Sequence, residues 1–349
     1  MAGREQSARL HADEIVSDVA LVRHLLMDRF PDWASLPIRR FASSGTDNAI
    51  YRLGDDLAVR LPLRPGATAQ LSSDARWLPV LAPHLPLAIP EVVATGDPVE
   101  ATSSHPGFAW PWGIYRWIDG EAVTLAGLAD PLHDAAVLAS FLRALQAIDP
   151  TGGTAPGPHN SGRGLPLAGR EARTRACIGE MHGMINADAV TASWEASLEV
   201  PTWSGPPRWV HGDIHQGNLL MARGVSRVAP PRPMRKSPRE GAALSSVIDF
   251  GCLGVGDPAV DLMVAWVLFD RPSRKVFREC LQPDEATWIR GRGWALSWAL
   301  IYVPYYRLTN PAGVEVAMRT FTQAAGAGSH ARGPVGTDRV SEAEASAAT

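Results

Sequence analysis

Two acidic stretches decide the fold of this chain. The first is His211-Gly212-Asp213-Ile214-His215-Gln216-Gly217-Asn218, and the second is Ile248-Asp249-Phe250-Gly251. Each carboxylate comes at the end of a short apolar run, and Asp249 lies 36 residues after Asp213. Either stretch alone is common in turns. The two together, in this order and at this distance, predict a single site.

The residue types in these stretches are those that phosphoryl transfer from a nucleotide requires. Magnesium prefers oxygen ligands and usually takes only one or two carboxylates from a protein. Asp249 offers a carboxylate, and Asn218 offers an amide oxygen for a second metal position. Asp213 lies five residues before Asn218, so one loop can aim it at an acceptor hydroxyl and let it take the proton.

A third stretch, Gly256-Asp257-Pro258-Ala259-Val260-Asp261-Leu262, follows the second. Asp257-Pro258 is typical of a helix N-cap followed by proline at the first helical position, and this interpretation stays open beside a role in the site. His211 and His215 could be mistaken for metal ligands. No cysteine or acidic cluster gives them the spacing of a zinc site, so we expect them to order the loop.

On these residues the chain resembles the aminoglycoside phosphotransferase family, the small-molecule relatives of protein kinases. The match at His211–Asn218 has histidine and glycine ahead of the aspartate where protein kinases have His-Arg-Asp. The resemblance extends from about Phe41 to about Thr320. Its less specific segments, in the expected order, are Arg76-Trp77-Leu78-Pro79, Tyr115-Arg116-Trp117-Ile118-Asp119-Gly120 and Val303-Pro304-Tyr305-Tyr306-Arg307.

The resemblance implies an α+β, bilobal protein-kinase-like fold, with a small antiparallel-sheet N-lobe and a larger, mainly helical C-lobe. It implies that residues 1–118 bind the nucleotide and that residues 119–323 carry catalysis and the substrate. By position, Asp213 is the expected catalytic base, and Asn218 and Asp249 are the expected ligands of Mg²⁺. Asp261 is expected to be a buried carboxylate that ties the catalytic loop in place.

A hydroxyl-rich turn, Ser43-Ser44-Gly45-Thr46-Asp47-Asn48, lies between two strand-like runs. Such a hairpin can present backbone N–H groups to the phosphates of ATP or GTP, so Ser43, Ser44, Gly45 and Thr46 are candidate nucleotide-binding residues. A turn of this composition can also serve only to connect strands. Further along, the backbone of Tyr115–Gly120 is expected to read the adenine edge.

The chain departs from the family at the phosphate-pairing lysine, because its only lysines, Lys236 and Lys275, follow the catalytic loop. Arg60, in the strand-like run Leu57–Leu61, is our candidate for the cation on the phosphates. Arginine is always charged but is wider and stiffer than lysine. Asp74 falls where the family's helix glutamate pairs with that cation. The open alternative for Arg60 is an exposed charge on a strand.

Composition favours one globular enzyme. The chain has 349 residues, 46% hydrophobic and 20% charged, which is enough for two lobes with ample cores. A net charge of −3 gives no general attraction to nucleic acid. Its three cysteines are widely spaced and are expected to be free thiols in a reducing cytoplasm. We expect no membrane partner, because no secretory h-region or membrane-length apolar run occurs.

Apolar periodicity predicts helices over about 12–30, 132–148, 170–198, 261–269 and 287–308, and a strand-rich region over about 38–118. Trp288, Trp294 and Trp298 are expected in the core rather than around a substrate. Residues 222–243 form a basic, proline-rich insertion, interpreted either as a surface loop or as a loop that docks an anion or a partner. Residues 324–349 are expected to be a disordered tail.

The predicted function is ATP-dependent O-phosphotransfer of the γ-phosphate to a hydroxyl of a small molecule. The acceptor class stays open between an aminoglycoside-type antibiotic, a macrolide and a small alcohol metabolite, because fold resemblance does not determine the substrate. The alternative is a catalytically weak, kinase-like protein that binds nucleotide. Arg60 and the long insertion favour the alternative, whereas Asp213, Asn218 and Asp249 favour the enzyme.

Overall fold

The N-terminal part of the chain is built on an antiparallel sheet. The computed structural model describes residues 17–41, 47–101, 107–124, 128, 130–223 and 242–325. Its first five strands are β1 (Ile38–Phe41), β2 (Asn48–Leu53), β3 (Leu57–Pro62), β4 (Val92–Gly96) and β5 (Trp112–Arg116), in the spatial order β1-β2-β3-β5-β4. In β2, every second side chain is buried, as the two-residue period of a strand requires. This mixture of a small sheet and a helical remainder confirms the predicted α+β class.

Three predicted segments, the hydroxyl-rich turn, the insertion and the tail, fall partly or wholly outside the described residues. The turn Ser43–Thr46 lies entirely outside them, as do residues 224–241 of the insertion and residues 326–349 of the tail. Residues 12–16 of the first predicted helix also lie outside the described residues, and helix α1 begins at Val19. It begins there because the side chain of Asp18 accepts a hydrogen bond from Leu21 N at 2.8 Å and caps the helix.

Helix α3 joins the sheet to the rest of the molecule. Between α1 (Val19–Arg29) and α3 (Thr68–Leu81) lies the short helix α2 (Pro31–Ala34). The last turns of α3 belong to the larger hydrophobic core, where the rings of Trp77 and Trp209 meet edge to face with centroids 4.9 Å apart. The end of α3 is therefore fixed to the C-terminal part of the chain.

The C-terminal part is mainly helical. Its helices are α4 (Pro131–Ala147), α5 (Glu171–Glu180), α6 (Ala187–Glu199), α7 (Val264–Val267), α8 (Arg271–Leu281), α9 (Glu285–Tyr306) and α10 (Pro311–Ala325). The pattern over 170–198 is thus two helices rather than one. The predicted helix over 261–269 is instead a 3₁₀ segment, Pro258–Met263, followed by the single turn of α7. None of the described helices is long and apolar enough to cross a bilayer.

Short strands lead into both acidic stretches and bring them close together. They are β6 (Glu121–Ala122), β7 (Arg208–Val210), β8 (Leu219–Arg223), β9 (Ala242–Val247) and β10 (Gly254–Gly256). Strand β7 pairs with β10 and ends immediately before His211. Strand β8 pairs with β9, which ends immediately before Ile248. The two loops that follow β7 and β9 are therefore neighbours.

Candidate active site

The loop after β7 is anchored by a buried carboxylate. Asp261 accepts hydrogen bonds from the backbone N–H groups of His211 at 2.9 Å and Gly212 at 2.7 Å. Burial raises the pKa of Asp261 to about 7 even though both hydrogen bonds favour the ionised form. Gly212 has φ +83°, and a Cβ there would lie 2.7 Å from the carbonyl oxygen of Cys252. Asp261 therefore ties the loop in place, as the resemblance implied, and Gly212 admits no larger residue.

Asp213 lies between two cationic or hydrogen-bonding side chains. Its Oδ2 is 3.5 Å from Nε2 of His215, and its Oδ1 is 3.5 Å from Nη2 of Arg163. Burial alone would raise the pKa of Asp213, but the hydrogen bond from His215 and the nearby positive charges outweigh it and hold the pKa below the usual range. The carboxylate is therefore ionised at neutral pH and available as a hydrogen-bond acceptor.

His211 connects the two acidic stretches. Its Nδ1 accepts from the backbone N–H of Asp213 at 3.2 Å, so Nε2 carries the proton and donates to the carbonyl oxygen of Ile248 at 3.1 Å. Burial lowers the pKa of His211, which fits a neutral ring with each nitrogen in a hydrogen bond. His215 likewise accepts from Gly217 N, at 3.1 Å. Both histidines order the loop, as predicted.

Asn218 and Asp249 present oxygen atoms that suit a hard cation. The backbone N–H of Ile248 donates to the carbonyl of Asn218 at 2.9 Å, so the two candidate ligands are held close in the fold. Nδ2 of Asn218 donates to the carbonyl of Asp213 at 2.9 Å, which leaves Oδ1 for another partner. No group of three or more His, Cys, Asp or Glu suited to a metal occurs among the described residues. A cation here would need further oxygens, such as those of a phosphate.

Asp249 is oriented by side chains from the N-terminal part. Its backbone is left-handed, with φ +64°, which is uncommon outside glycine. Its Oδ1 accepts from Nε2 of Gln70 at 3.1 Å and from Nη2 of Arg60 at 3.4 Å. Among the described donors, none is hydrogen-bonded to Oδ2, and 45% of the side chain is exposed. One oxygen is thus held by the protein and the other is open to a ligand.

Arg60 lies inside this network rather than on the surface. Only 16% of its side chain is exposed, which excludes the interpretation as an exposed strand charge. Nη1 lies 3.4 Å from Oδ2 of Asp74, as predicted, and Nη2 donates to Oε1 of Gln70 at 2.6 Å. With its amide oxygen turned toward the guanidinium, Asn48 accepts from Nη2 at 2.9 Å and Nε at 3.2 Å. Arg60 therefore has four side-chain partners.

Asp74 is buried behind Arg60. Tyr115 donates its hydroxyl hydrogen to Oδ2 of Asp74 at 3.0 Å, and the ring of Tyr115 lies 5.8 Å from the Arg60 guanidinium carbon. Burial raises the pKa of Asp74 to about 6, although Arg60 and Tyr115 both act to lower it. The carboxylate of Asp74 is therefore in contact with Arg60 rather than with solvent, and it affects the site by holding the guanidinium.

Sequence patterns did not indicate Gln70 or Arg163. Gln70 lies four residues before Asp74 on α3, and this spacing on the observed helix places the two residues on one face. Arg163 lies in the Gly/Pro-rich connection after α4, where no pattern marks it. Its Nε donates to the carbonyl of Gly212 at 2.8 Å, and its guanidinium carbon lies 6.0 Å from the Trp294 ring.

An aromatic row leads away from Asp213 along α9. The ring of His215 lies 5.8 Å from Trp298, Trp298 lies 4.8 Å from Tyr302, and Tyr302 lies 4.4 Å from Tyr306. Burial raises the pKa of Tyr302 to about 12, with contributions from Tyr306 and the charge of Asp213. The predicted core tryptophans are buried. Trp298 nevertheless also borders the loop of Asp213, a position that its sequence spacing did not indicate.

A cleft of about 1110 Å³ lies elsewhere. It is lined by the end of α3, residues 85–91, the linker Arg116–Asp119 and parts of β8 and β9. Arg60, Asp213 and Asp249 do not line it, so it does not identify the site of the chemistry. The charged and polar groups around Asp213 and Asp249 form the candidate site.

Several solved structures share this fold. The GDP complex of wild-type aminoglycoside 2'-phosphotransferase-IIIa has 17% sequence identity and a TM-score of 0.63, covering 88% of this chain and 99% of that one. Macrolide 2'-phosphotransferase MphH from Brachybacterium faecium has 22% identity and a TM-score of 0.51, covering 86% and 97%. The streptomycin–ATP ternary complex of APH(2'')-IIa has 18% identity and a TM-score of 0.52, covering 86% and 96%. At these identities the likeness shows the fold alone.

No curated protein matches the chain. The model of one protein family does, over residues 38–229, which is more than half of the chain. The matched region contains Arg60, Asp74, Asp213 and Asn218. Asp249 lies beyond it, and the structure shows its place beside Arg60. This chain therefore belongs to the APH phosphotransferase enzyme family.

Proposed function

We propose that this protein is an ATP- or GTP-dependent O-phosphotransferase that transfers the γ-phosphoryl group to a hydroxyl of a small molecule. The observation that carries the proposal is the hydrogen-bonded link through His211, whose two ring nitrogens contact Asp213 N and Ile248 O. Through that link, a carboxylate suited to accept a proton and one suited to bind a cation belong to a single site.

The nucleotide side of the proposed site draws on both parts of the chain. Asn218 and Asp249 would hold Mg²⁺, which when bound neutralises charge on the phosphates. Arg60 would contact the phosphates with a fork that suits their oxygens. Ser43–Thr46 would add backbone N–H groups, and the linker Tyr115–Gly120 would read the base.

On the acceptor side, Asp213 would orient the hydroxyl and receive its proton late in the transfer. Its lowered pKa keeps the carboxylate ionised, so that it can accept a hydrogen bond from the hydroxyl and orient it. Arg163 and His215 keep it charged and fix its direction. Catalysis would then consist mainly of positioning and charge neutralisation, as phosphoryl transfer requires.

For the acceptor we propose an aminoglycoside-type antibiotic, with antibiotic resistance as the biological consequence. A second candidate is a less cationic acceptor such as a macrolide or a small alcohol. One specific observation favours it. Arg163 already balances the charge of Asp213, and the row from the buried Trp298 to the half-buried Tyr302 and Tyr306 places aromatic rings beside the loop of Asp213. A polycation generally needs an acidic cleft.

The alternative function is that of a catalytically weak, kinase-like nucleotide-binding protein. It is favoured by Arg60, which has four side-chain partners and would have to exchange some of them for phosphate oxygens. We also propose that residues 1–118 and 119–323 act as the two lobes. We propose cytoplasmic localisation, which the free thiols Cys177 and Cys252 support.

The test is magnesium-dependent turnover of ATP and GTP against aminoglycosides, macrolides and small alcohols. Phosphorylation of one acceptor class, detected on the product by mass spectrometry, would support the enzyme and identify the acceptor. Nucleotide binding without phosphorylation of any acceptor across a wide screen would support the weak, nucleotide-binding alternative. Absence of nucleotide binding would contradict both.

A further inference from the structure

Gln70, in the first turn of α3, is hydrogen-bonded at both ends of its amide. Its Oε1 accepts from Nη2 of Arg60 at 2.6 Å, and its Nε2 donates to Oδ1 of Asp249 at 3.1 Å. The reverse orientation would set the NH₂ group against a guanidinium and the carbonyl oxygen against a carboxylate. Only an amide satisfies both neighbours at once, because it carries a donor and an acceptor on one planar group.

Gly251, in the second acidic stretch, has no side chain and so leaves room for this contact. A Cβ at Gly251 would lie 3.1 Å from Oε1 and 3.2 Å from Nε2 of Gln70, which is closer than most side-chain contacts. The turn that carries Asp249 and the helix that carries Gln70 therefore approach each other closely. The contact between Gln70 and Asp249 is thus supported by the backbone and does not depend on the two side chains alone.

Gln70 also complements the arginine at position 60. A guanidinium has five N–H donors, two more than a lysine ammonium, and buried donors without partners are costly. Gln70 and Asn48 supply amide oxygens for these donors, while Asp74 takes Nη1. The site is therefore built around arginine, and Gln70 is the residue that connects this cation to Asp249.

We propose that Gln70 is a positioning residue that fixes Oδ1 of Asp249 and thereby directs Oδ2 to the magnesium ion of the nucleotide. This inference rests on the proposed function. Asp249 has an exposed side chain on a left-handed turn, so its carboxylate needs an external contact to hold one direction. Arg60 alone reaches Oδ1 only at 3.4 Å, whereas Gln70 is closer and donates directly.

The experiment compares Gln70→Ala and Gln70→Glu with the wild type. Gln70→Glu keeps an acceptor for Arg60 but removes the donor to Asp249, so it separates the two contacts and reports even if Gln70→Ala fails to fold. Ser72→Ala, an exposed change on the same helix, is the matched control. Calorimetry measures ATP affinity in EDTA and over a magnesium titration, and thermal melts check folding.

We expect the apparent magnesium constant to rise about tenfold in both Gln70 variants, the effect of losing one hydrogen bond to a charged group. ATP affinity in EDTA should stay within about twofold, and Ser72→Ala should match the wild type. An unchanged magnesium constant would overturn the inference, as would an equal loss of affinity in EDTA and magnesium. A wild type that binds no magnesium nucleotide would contradict the proposed function itself, and the inference with it.

Discussion

His211 donates a hydrogen bond from Nε2 to the backbone carbonyl of Ile248 at 3.1 Å. The contact joins loops that are 37 residues apart in the sequence and places the two acidic stretches in one site. The ring also meets Phe250 edge to face, with centroids 4.7 Å apart. A buried side chain with two hydrogen bonds and an aromatic contact fixes the geometry more firmly than either loop could alone.

Replacing His211 should therefore cost both stability and activity. We expect His211→Ala to lower the free energy of unfolding by about 2–4 kcal/mol, since it removes a buried ring and leaves Ile248 O and Asp213 N without partners. Urea unfolding measures this loss. His84→Ala, at an exposed position, is the control. A loss for His211→Ala no larger than that of the control would contradict the structural role of the link.

Asp249→Ala should weaken nucleotide binding only when magnesium is present. We expect at least about a tenfold loss of ATP affinity with magnesium and little change in EDTA, because the side chain would act through the cation. Calorimetry distinguishes the two conditions, and Asp55→Ala, an exposed carboxylate in the N-terminal part, is the control. Unchanged affinity with magnesium would mean that the metal binds elsewhere.

Arg60→Lys should be a damaging change although it keeps the charge. A lysine ammonium cannot donate hydrogen bonds to all four partners of Arg60, which are Asn48, Gln70, Asp74 and Asp249. We therefore expect a loss of about 1–3 kcal/mol in unfolding free energy and weaker ATP binding. Arg39→Lys, on the exposed side of β1, is the matched control. If Arg60→Lys bound ATP more tightly than the wild type, the surrounding amides would not be adapted to arginine.

Asp134 gives a pH-dependent prediction. This buried carboxyl accepts from Leu244 N at 3.2 Å, while its Oδ2 has no partner among the described residues. Burial raises its pKa to about 6, partly opposed by that hydrogen bond. Because the folded pKa exceeds the unfolded value of about 3.9, the folded state binds more protons than the unfolded state between about pH 4 and pH 6. The stability that Asp134 contributes is therefore present below about pH 4 and is lost as the pH rises through about 6.

Asp134→Asn keeps the acceptor for Leu244 N and removes the titration. Relative to the wild type, we expect the variant to gain about 1–3 kcal/mol of unfolding free energy between pH 4 and pH 7. Urea unfolding at several pH values measures the difference. A difference that is constant with pH, or that changes in the opposite direction, would show that Asp134 does not titrate in this window.

Much of the fold could be predicted from the sequence because local patterns determined it. The catalytic loop combines a glycine at positive φ with fixed polar positions, and β2 shows the alternation of a strand. Over Pro258–Met263, periodicity did not distinguish a 3₁₀ segment from an α-helix, because all six side chains are buried. A tighter turn and an α-helical turn look alike when no polar face is present.

The contacts around the site were harder to predict because they join distant parts of the chain. Arg163 reaches Gly212 across 49 residues from a loop without periodicity. Gln70 reaches Asp249 across 179 residues. Asp74 could be placed because it falls where the family's helix glutamate pairs with the cation. Residues whose partners come from tertiary packing leave little trace in the local sequence.

In the proposed function, Asp213 contacts the acceptor and not the nucleotide. The most direct measurement determines ATP affinity and phosphate transfer together in Asp213→Ala, with Asp188→Ala as an exposed control. We predict ATP affinity within about threefold of the wild type and a fall in transfer of about 10²–10⁴-fold. Retained transfer, or loss of ATP binding in a folded Asp213→Ala variant, would contradict the account.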